Sequence, residues 1–324
     1  MEQGPTAART AVTRRLRGIL LGALLVAVIP APTAVGGPIP SAPKCSVFPA
    51  DNHWNLPVAD LPVVGNSRKI VRSAGLSTGL HPDFGWGKWN GGPIGIPFVT
   101  VPGSQKKVPV SFTYKSESDK GPYPIPKNVP IEGGRRSDGD RHVIVVDRQS
   151  CKLYELFNAR PRDGGTRWKA GSGAIWDLDS NDLRPKGWTS ADAAGLPILP
   201  GLVRYADIKR GRIDHALRFT VEDTRRKFIY PARHFASDKT SRNLPAMGQR
   251  FRLKKGFDIS GFPKQARIVL KALKRYGMIV ADNGSDWYIS GEPNKNWNND
   301  ALHTLGQVEG RHFQVVDTTE LPRP

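Results

Sequence analysis

The stretch HALRFTVEDTRRKFIYPARH, residues 215–234, carries a histidine at each end of an alternating apolar and polar run. Two imidazoles brought together would titrate near neutrality and could move protons. In a strand, alternate residues share a face. One face of the first run holds His215, Leu217, Phe219 and Val221; one face of the second holds Phe228, Tyr230, Ala232 and His234. A turn over Asp223–Arg226 sets Val221 against Phe228, Phe219 against Tyr230 and His215 against His234. This register predicts two opposed histidines on an inward face, with Cβ atoms about 5 Å apart.

HVIVVDRQSCKLYELF reads the same way, turning at Asp147–Ser150. Val146 then faces Cys151, Ile144 faces Leu153 and His142 faces Glu155. Both hairpins run from apolar at the turn to polar at the far end, as where a core gives way to a cleft. The candidate catalytic groups are therefore His215, His234, Tyr230, His142 and Glu155. A hydrogen-bonded core histidine is the competing reading for each imidazole.

The candidate binding groups lie in loops. Trp176 and Trp188 flank Asp177, Asp179, Asn181 and Asp182, and Asp192 follows. Indole faces stack on sugar rings, and carboxylates bind hydroxyls or do acid–base work. Those tryptophans could equally close the core. Tyr123 is held among prolines, and Glu132 precedes Gly133-Gly134, where it could reach into a cleft. Trp297 stands in an Asn-rich loop and is the exposed candidate; Trp287 is expected in the core. Asp177, Asp179, Asn181 and Asp182 offer hard oxygen donors, but the Gly and distal Glu of a calcium loop are missing. His142, Glu155, His215 and His234 could chemically hold a divalent metal, yet lack the H-x-H spacing of cupins. No cofactor is therefore expected, with structural calcium or a His-bound metal as minor alternatives.

The elements that must position these groups are short. IPFVTV, VPVSFTY, HVIVVD, KLYELF, HALRFTV and KFIYPA read as strands bounded by turn signals such as PGSQKK and DNGS, with an Asn283-Gly284 hairpin turn. One helix stands out, Pro263–Tyr276, with Ala266, Val269, Leu270 and Leu273 on one stripe and Gly277 at its end. Ser190–Ala194 adds a possible helical turn. The pattern predicts an all-β, single-domain β-sandwich, jelly-roll or concanavalin-like, with one amphipathic helix and long loops.

The N-terminus reads differently. Arg9, Arg14, Arg15 and Arg17 precede an apolar run over Ile19–Ile29, and Ala34-Val35-Gly36 offers a cleavage site. Residues 1–36 are thus expected to be a secretory signal peptide, too short for a membrane span. The twin arginine hints at a second export route. A Pro-rich linker (37–44), a sandwich domain (45–319) and a tail (320–324) follow. In an oxidising compartment the two cysteines, Cys45 and Cys151, are expected to pair. The formal charge of +19 favours anionic partners. There is no zinc-protease helix and no nucleotide loop.

The blocks TSADAAGLPILPGLVRY, IDHALRF, YPARH and LKALKRYGMIVADNGSDWYISG resemble a group of uncharacterised secreted bacterial proteins. The resemblance covers most of the chain from about residue 45 and implies an extracellular β-sandwich; it carries over no activity.

Together these features predict a secreted, monomeric, carbohydrate-active protein acting on an extracellular polysaccharide or cell-wall polymer, more acidic than neutral. Nucleic acid has no motif behind it. Two chemistries fit. In a lyase, His215 or His234 takes the proton beside a uronate carboxylate, and Tyr230 or Tyr123 protonates the leaving oxygen. In a hydrolase, two of Glu132, Glu155, Asp177 and Asp192 do the work. The rival is a non-catalytic wall- or glycan-binding protein.

Overall fold

The computed structural model describes residues 1–4 and 37–323. Apart from its first four residues, the expected export segment lies outside the described residues. Strand makes up 24% and helix 16%, so the chain is β-rich; no sheet closes into a barrel.

Two larger sheets carry the molecule. A six-stranded mixed sheet runs, in spatial order, His81–Asp83, Tyr288–Ser290, Leu217–Val221, Met278–Asn283, Arg250–Leu253, Phe313–Val315. A four-stranded sheet runs Ser172–Asp177, Lys152–Phe157, Val143–Asp147, Phe98–Val101. One core takes residues from both, including Ile144, Leu153, Phe219, Phe251, Met278 and Trp287. The other face of the four-stranded sheet gives Val143, Val145, Tyr154 and Leu156 to a second, smaller core. With both faces covered, its strands read as continuous apolar runs.

The helix forms over Lys264–Arg275, with Pro263 as N-cap. Its buried stripe is Ala266, Ile268, Val269, Leu270, Ala272 and Leu273, packed against Arg250–Leu253. Gly277 ends it at φ +66°, where a Cβ would strike the Phe251 carbonyl. The Pro-rich stretch 37–44 packs into the folded body, because its apolar residues Ile39 and Ala42 enter the main core. Ser190–Ala194 is a turn rather than a helix: the Ser190 hydroxyl accepts the Asp192 N–H at 2.9 Å. Cys45 and Cys151 are disulfide-bonded. No described helix is long and apolar enough to cross a membrane.

The strand pairing corrects the hairpin at 215–234. Leu217–Val221 lies between Met278–Asn283 (parallel) and Tyr288–Ser290 (antiparallel). The segment expected to be its partner makes a single bridge, Phe228 to Met247. Pro231 has no N–H to give a ladder, which disfavours that segment as a central partner. For the same reason of topology, Asn283-Gly284 is not a hairpin turn: the strands it joins flank Leu217–Val221. The hairpin at 143–157 does form, two residues out of the expected register. Asp147 pairs with Lys152 and Ile144 with Glu155, so His142 is not opposite Glu155. Asp147 accepts the N–H groups of Gln149 (2.9 Å) and Ser150 (3.3 Å), which fixes the turn beyond it. The parity is unchanged, so Ile144, Val146 and Leu153 keep the predicted face.

Candidate functional site

The expected histidine pair does not assemble. His215 is buried; its Nδ1 lies 2.8 Å from the Ala216 carbonyl and its Nε2 3.5 Å from Asp207. Asp207 also pairs with Arg204 and Arg210. Burial opposes its charge, but Arg204, His215 and Arg210 hold the carboxyl well below the usual range. His215 is thus part of a structural ion cluster. Tyr230 lies edge-on to His53 at 5.0 Å and lines neither hollow described below.

Most of the loop aromatics are structural too. Arg184 sits 5.7 Å from the Trp176 ring and 5.4 Å from the Trp188 ring and donates to Asp119 at 2.5 Å. The two indoles therefore flank a loop cation. Trp176 is buried and Trp188 half-buried. Asp177 pairs with Lys152 at 3.2 Å and accepts the Asp179 N–H at 3.1 Å. Tyr123 is buried and donates to the Asp119 carbonyl. Trp297, expected outside, is buried against Phe84 and Tyr205, its N–H on the Glu292 carbonyl. Apolar neighbours from distant loops cover it. Trp287 is in the core. Among the described residues, no three His, Cys, Asp or Glu gather as metal ligands.

Glu132 does reach a cleft. It lines a hollow of about 520 Å³ with His81, Asp83, Trp89, Tyr288 and His303. The strand His81–Asp83 alternates exposed, buried, exposed, so His81 and Asp83 point the same way. His81 stacks on Tyr288 at 4.0 Å. Opposite, the short hairpin Lys88–Trp89/Gly92–Pro93 packs on the Glu132 loop. A Cβ on Gly92 would lie 2.0 Å from the Gly133 carbonyl oxygen, so only glycine allows this approach. Trp89 is 74% exposed and Trp86 57% exposed. Asn299 clamps the Trp86 backbone from both sides, at 2.9 Å each.

The two carboxyls of this hollow are tuned apart. Burial and then the Glu132 charge raise Asp83. Burial also works against ionised Glu132, but His142 outweighs it and lowers the carboxyl. The contact is His142 Nδ1 to Glu132 Oε2, 2.6 Å. His142 Nε2 lies 3.0 Å from the Ala191 carbonyl. Both nitrogens are donors if the ring is cationic. Burial pulls its pKa down, yet Glu132 lifts it to about 9. Two carboxyls shifted in opposite directions are an arrangement that separates acid and base roles.

Behind this hollow lies a buried charge network. Arg218 donates twice to Asp192, at 2.7 Å each, and once to Ser290 at 2.6 Å. Asp282 lies 3.6 Å from the same guanidinium. Burial, then Asp192, raise Asp282 to about 8. Glu155 is fully buried and accepts the Ile198 and Leu199 N–H groups at 2.9–3.0 Å; burial still raises it to about 7. It is enclosed and cannot touch a polymer. Asp192, Asp282 and His234 line a second hollow of about 280 Å³. His234 donates Nδ1–H to the Ala193 carbonyl at 2.7 Å.

The sequence reading missed Asp83, Asp282, Arg218, Trp86 and Trp89. Arg218 had a signal: a charge in mid-strand between Leu217 and Phe219 must be paired if both faces are covered. FGWGKWNGG also had one, since tryptophans among glycines and lysine have little to pack against.

The network sets an acid-leaning stability profile. Glu155 and Asp282 hold protons in the folded state that the unfolded chain has released, between their ordinary pKa near 4 and about 7 and 8. Stability therefore falls as pH rises through that window. His142 acts in the same direction: its contribution is complete below about 6.5 and is lost as pH rises through about 9. Glu132 and Asp207, both lowered, lose their contribution as pH falls below about 4. Urea unfolding should give a maximum near pH 4 and a continuous loss of stability from there to pH 9. A flat or rising profile over that range would contradict these assignments.

Comparison of the chain with protein-family models, curated proteins and solved structures gave no match.

Proposed function

We propose that the protein is an exported carbohydrate-active enzyme that hydrolyses a polysaccharide at the Asp83–Glu132 hollow. The single observation that carries this is the pairing of oppositely tuned carboxyls beside an exposed Trp89 ring. Asp83, whose pKa is raised, gives its proton to the glycosidic oxygen as that bond breaks. Glu132, kept ionised by His142, takes a proton from the attacking water or bonds to the sugar carbon itself. Trp89 supplies a face for an adjoining ring. Export is supported by the Cys45–Cys151 disulfide. The two larger sheets about one core are read as a sandwich frame.

The lyase alternative is weaker. It keeps His234 but loses His215, which is held by the Ala216 carbonyl and Asp207. The binding alternative keeps Trp86 and Trp89 but assigns no task to the tuned acids.

Asp83→Asn tests the proposal. Asp83 keeps part of its surface open to solvent although its carboxyl is partly desolvated beside Glu132, so the fold should be retained. Reducing-sugar release from a panel of neutral and acidic polymers should fall on the order of 10²–10⁴-fold. Undiminished release would dismiss Asp83 as the acid. Retained polymer binding with no release by the wild type would favour the binding protein.

A further inference from the structure

Three residues beyond Glu132, the same loop enters a separate hollow of about 440 Å³, lined by Lys127, Asn128, Arg135, Pro161, Gly164 and Gly165. No Asp or Glu lines it. Lys127 and Arg135 are exposed, and the Arg135 guanidinium is steered by one hydrogen bond to the Lys127 carbonyl, 2.9 Å. Asp163, next to Gly164 in the chain, is engaged with Arg167 at 3.6 Å.

The loop is held from behind by a third cation. Arg141 is buried and donates to four carbonyls: Ala159 at 3.1 Å, Gly134 at 3.4 Å, Arg135 at 3.0 Å and Ser137 at 2.8 Å. It has no carboxylate partner among the described residues. Burial and then the Arg160 charge pull its pKa below the usual arginine value. No carboxylate lines this hollow, so an anion bound there would meet Lys127 and Arg135 without competition from the lining. The loop that carries Glu132 into one hollow and Arg135 into the other spans at most about 11 Å between those two residues.

We propose that the Lys127–Arg135 hollow binds the anionic groups of an acidic glycan whose neighbouring units occupy the Asp83–Glu132 hollow. The inference rests on the glycan reading above and narrows it to polymers bearing carboxylate groups. Arg135 forks onto the carboxylate, Lys127 adds a point charge, and Arg141 positions the loop.

Isothermal titration of the full chain with a galacturonic acid tetramer, and with the same tetramer methyl-esterified, tests it. The wild type should bind the acid form more tightly. Arg135→Gln should weaken that binding about tenfold or more, and Lys127→Gln by a smaller factor. Both should leave the affinity for the ester unchanged and flatten the salt dependence. Equal affinity of wild type and variants for the acid tetramer, equal affinity of the wild type for both tetramers, or no binding at all would overturn it. Binding is read without turnover. If Asp83→Asn leaves polymer degradation intact while Arg135→Gln still loses the acid tetramer, the hydrolytic assignment fails and the anion site stands.

Discussion

Asp192→Ala should destabilise the protein by about 3–5 kcal/mol, seen as a fall of about 6–10 °C in the unfolding midpoint. Asp192 is completely buried and accepts both strong bonds of the Arg218 fork. Arg218 is itself buried in the central part of the six-stranded sheet. Removing the carboxylate leaves a guanidinium with Ser290 and a distant Asp282, which Asp192 itself keeps raised. In the variant Asp282 should ionise more readily and take over part of the pairing, so the loss at pH 9 should be smaller than at pH 5. Asp192→Leu combined with Arg218→Met should recover much of the loss, because an apolar pair of similar volume avoids the stranded charge. A single-variant loss under about 1 kcal/mol would mean that the network is not held as described.

Reducing the disulfide, or replacing Cys45 and Cys151 by Ser together, should cost about 4–5 kcal/mol. The bond spans 106 positions, and closing so long a loop removes much of the freedom of the unfolded chain. It also ties the segment that brings Ile39, Ala42 and Val47 into the core to the turn between Val143–Asp147 and Lys152–Phe157. Cys45 and Cys151 are themselves buried, so two serines leave hydroxyls in an apolar place and add to the cost. Urea titration of reduced and oxidised protein gives the figure. Coincident curves would assign the bond no part in stability.

The helix was legible in the sequence for local reasons. Lys264–Arg275 follows from the 3.6 period of its apolar residues and from Pro263 and Gly277 at its ends. The face assignment on Val143–Asp147 and Lys152–Phe157 survived a two-residue register error, since slipping by two keeps parity. Glu132 was legible as a cleft residue from the paired glycines after it. The hairpin at 215–234 failed because alternation says which face a residue takes, never which strand lies beside it. Its first strand found both neighbours some sixty residues later in the chain.

What the sequence determined by itself is whatever depends on neighbours in the chain or on simple counting: two cysteines that pair, short strands, and the helix Lys264–Arg275, though not the three shorter helices Ser67–Ser73, Tyr205–Arg210 and Asn299–His303. The tertiary structure alone decided the site. Asp83 and Glu132 line one hollow because the edge strand His81–Asp83 borders it and the Glu132 loop, packed through Gly133 on the Gly92 hairpin, reaches it from elsewhere in the chain. Their protonation is a property of that packing, since burial and an opposed charge act through space and leave no local pattern to read.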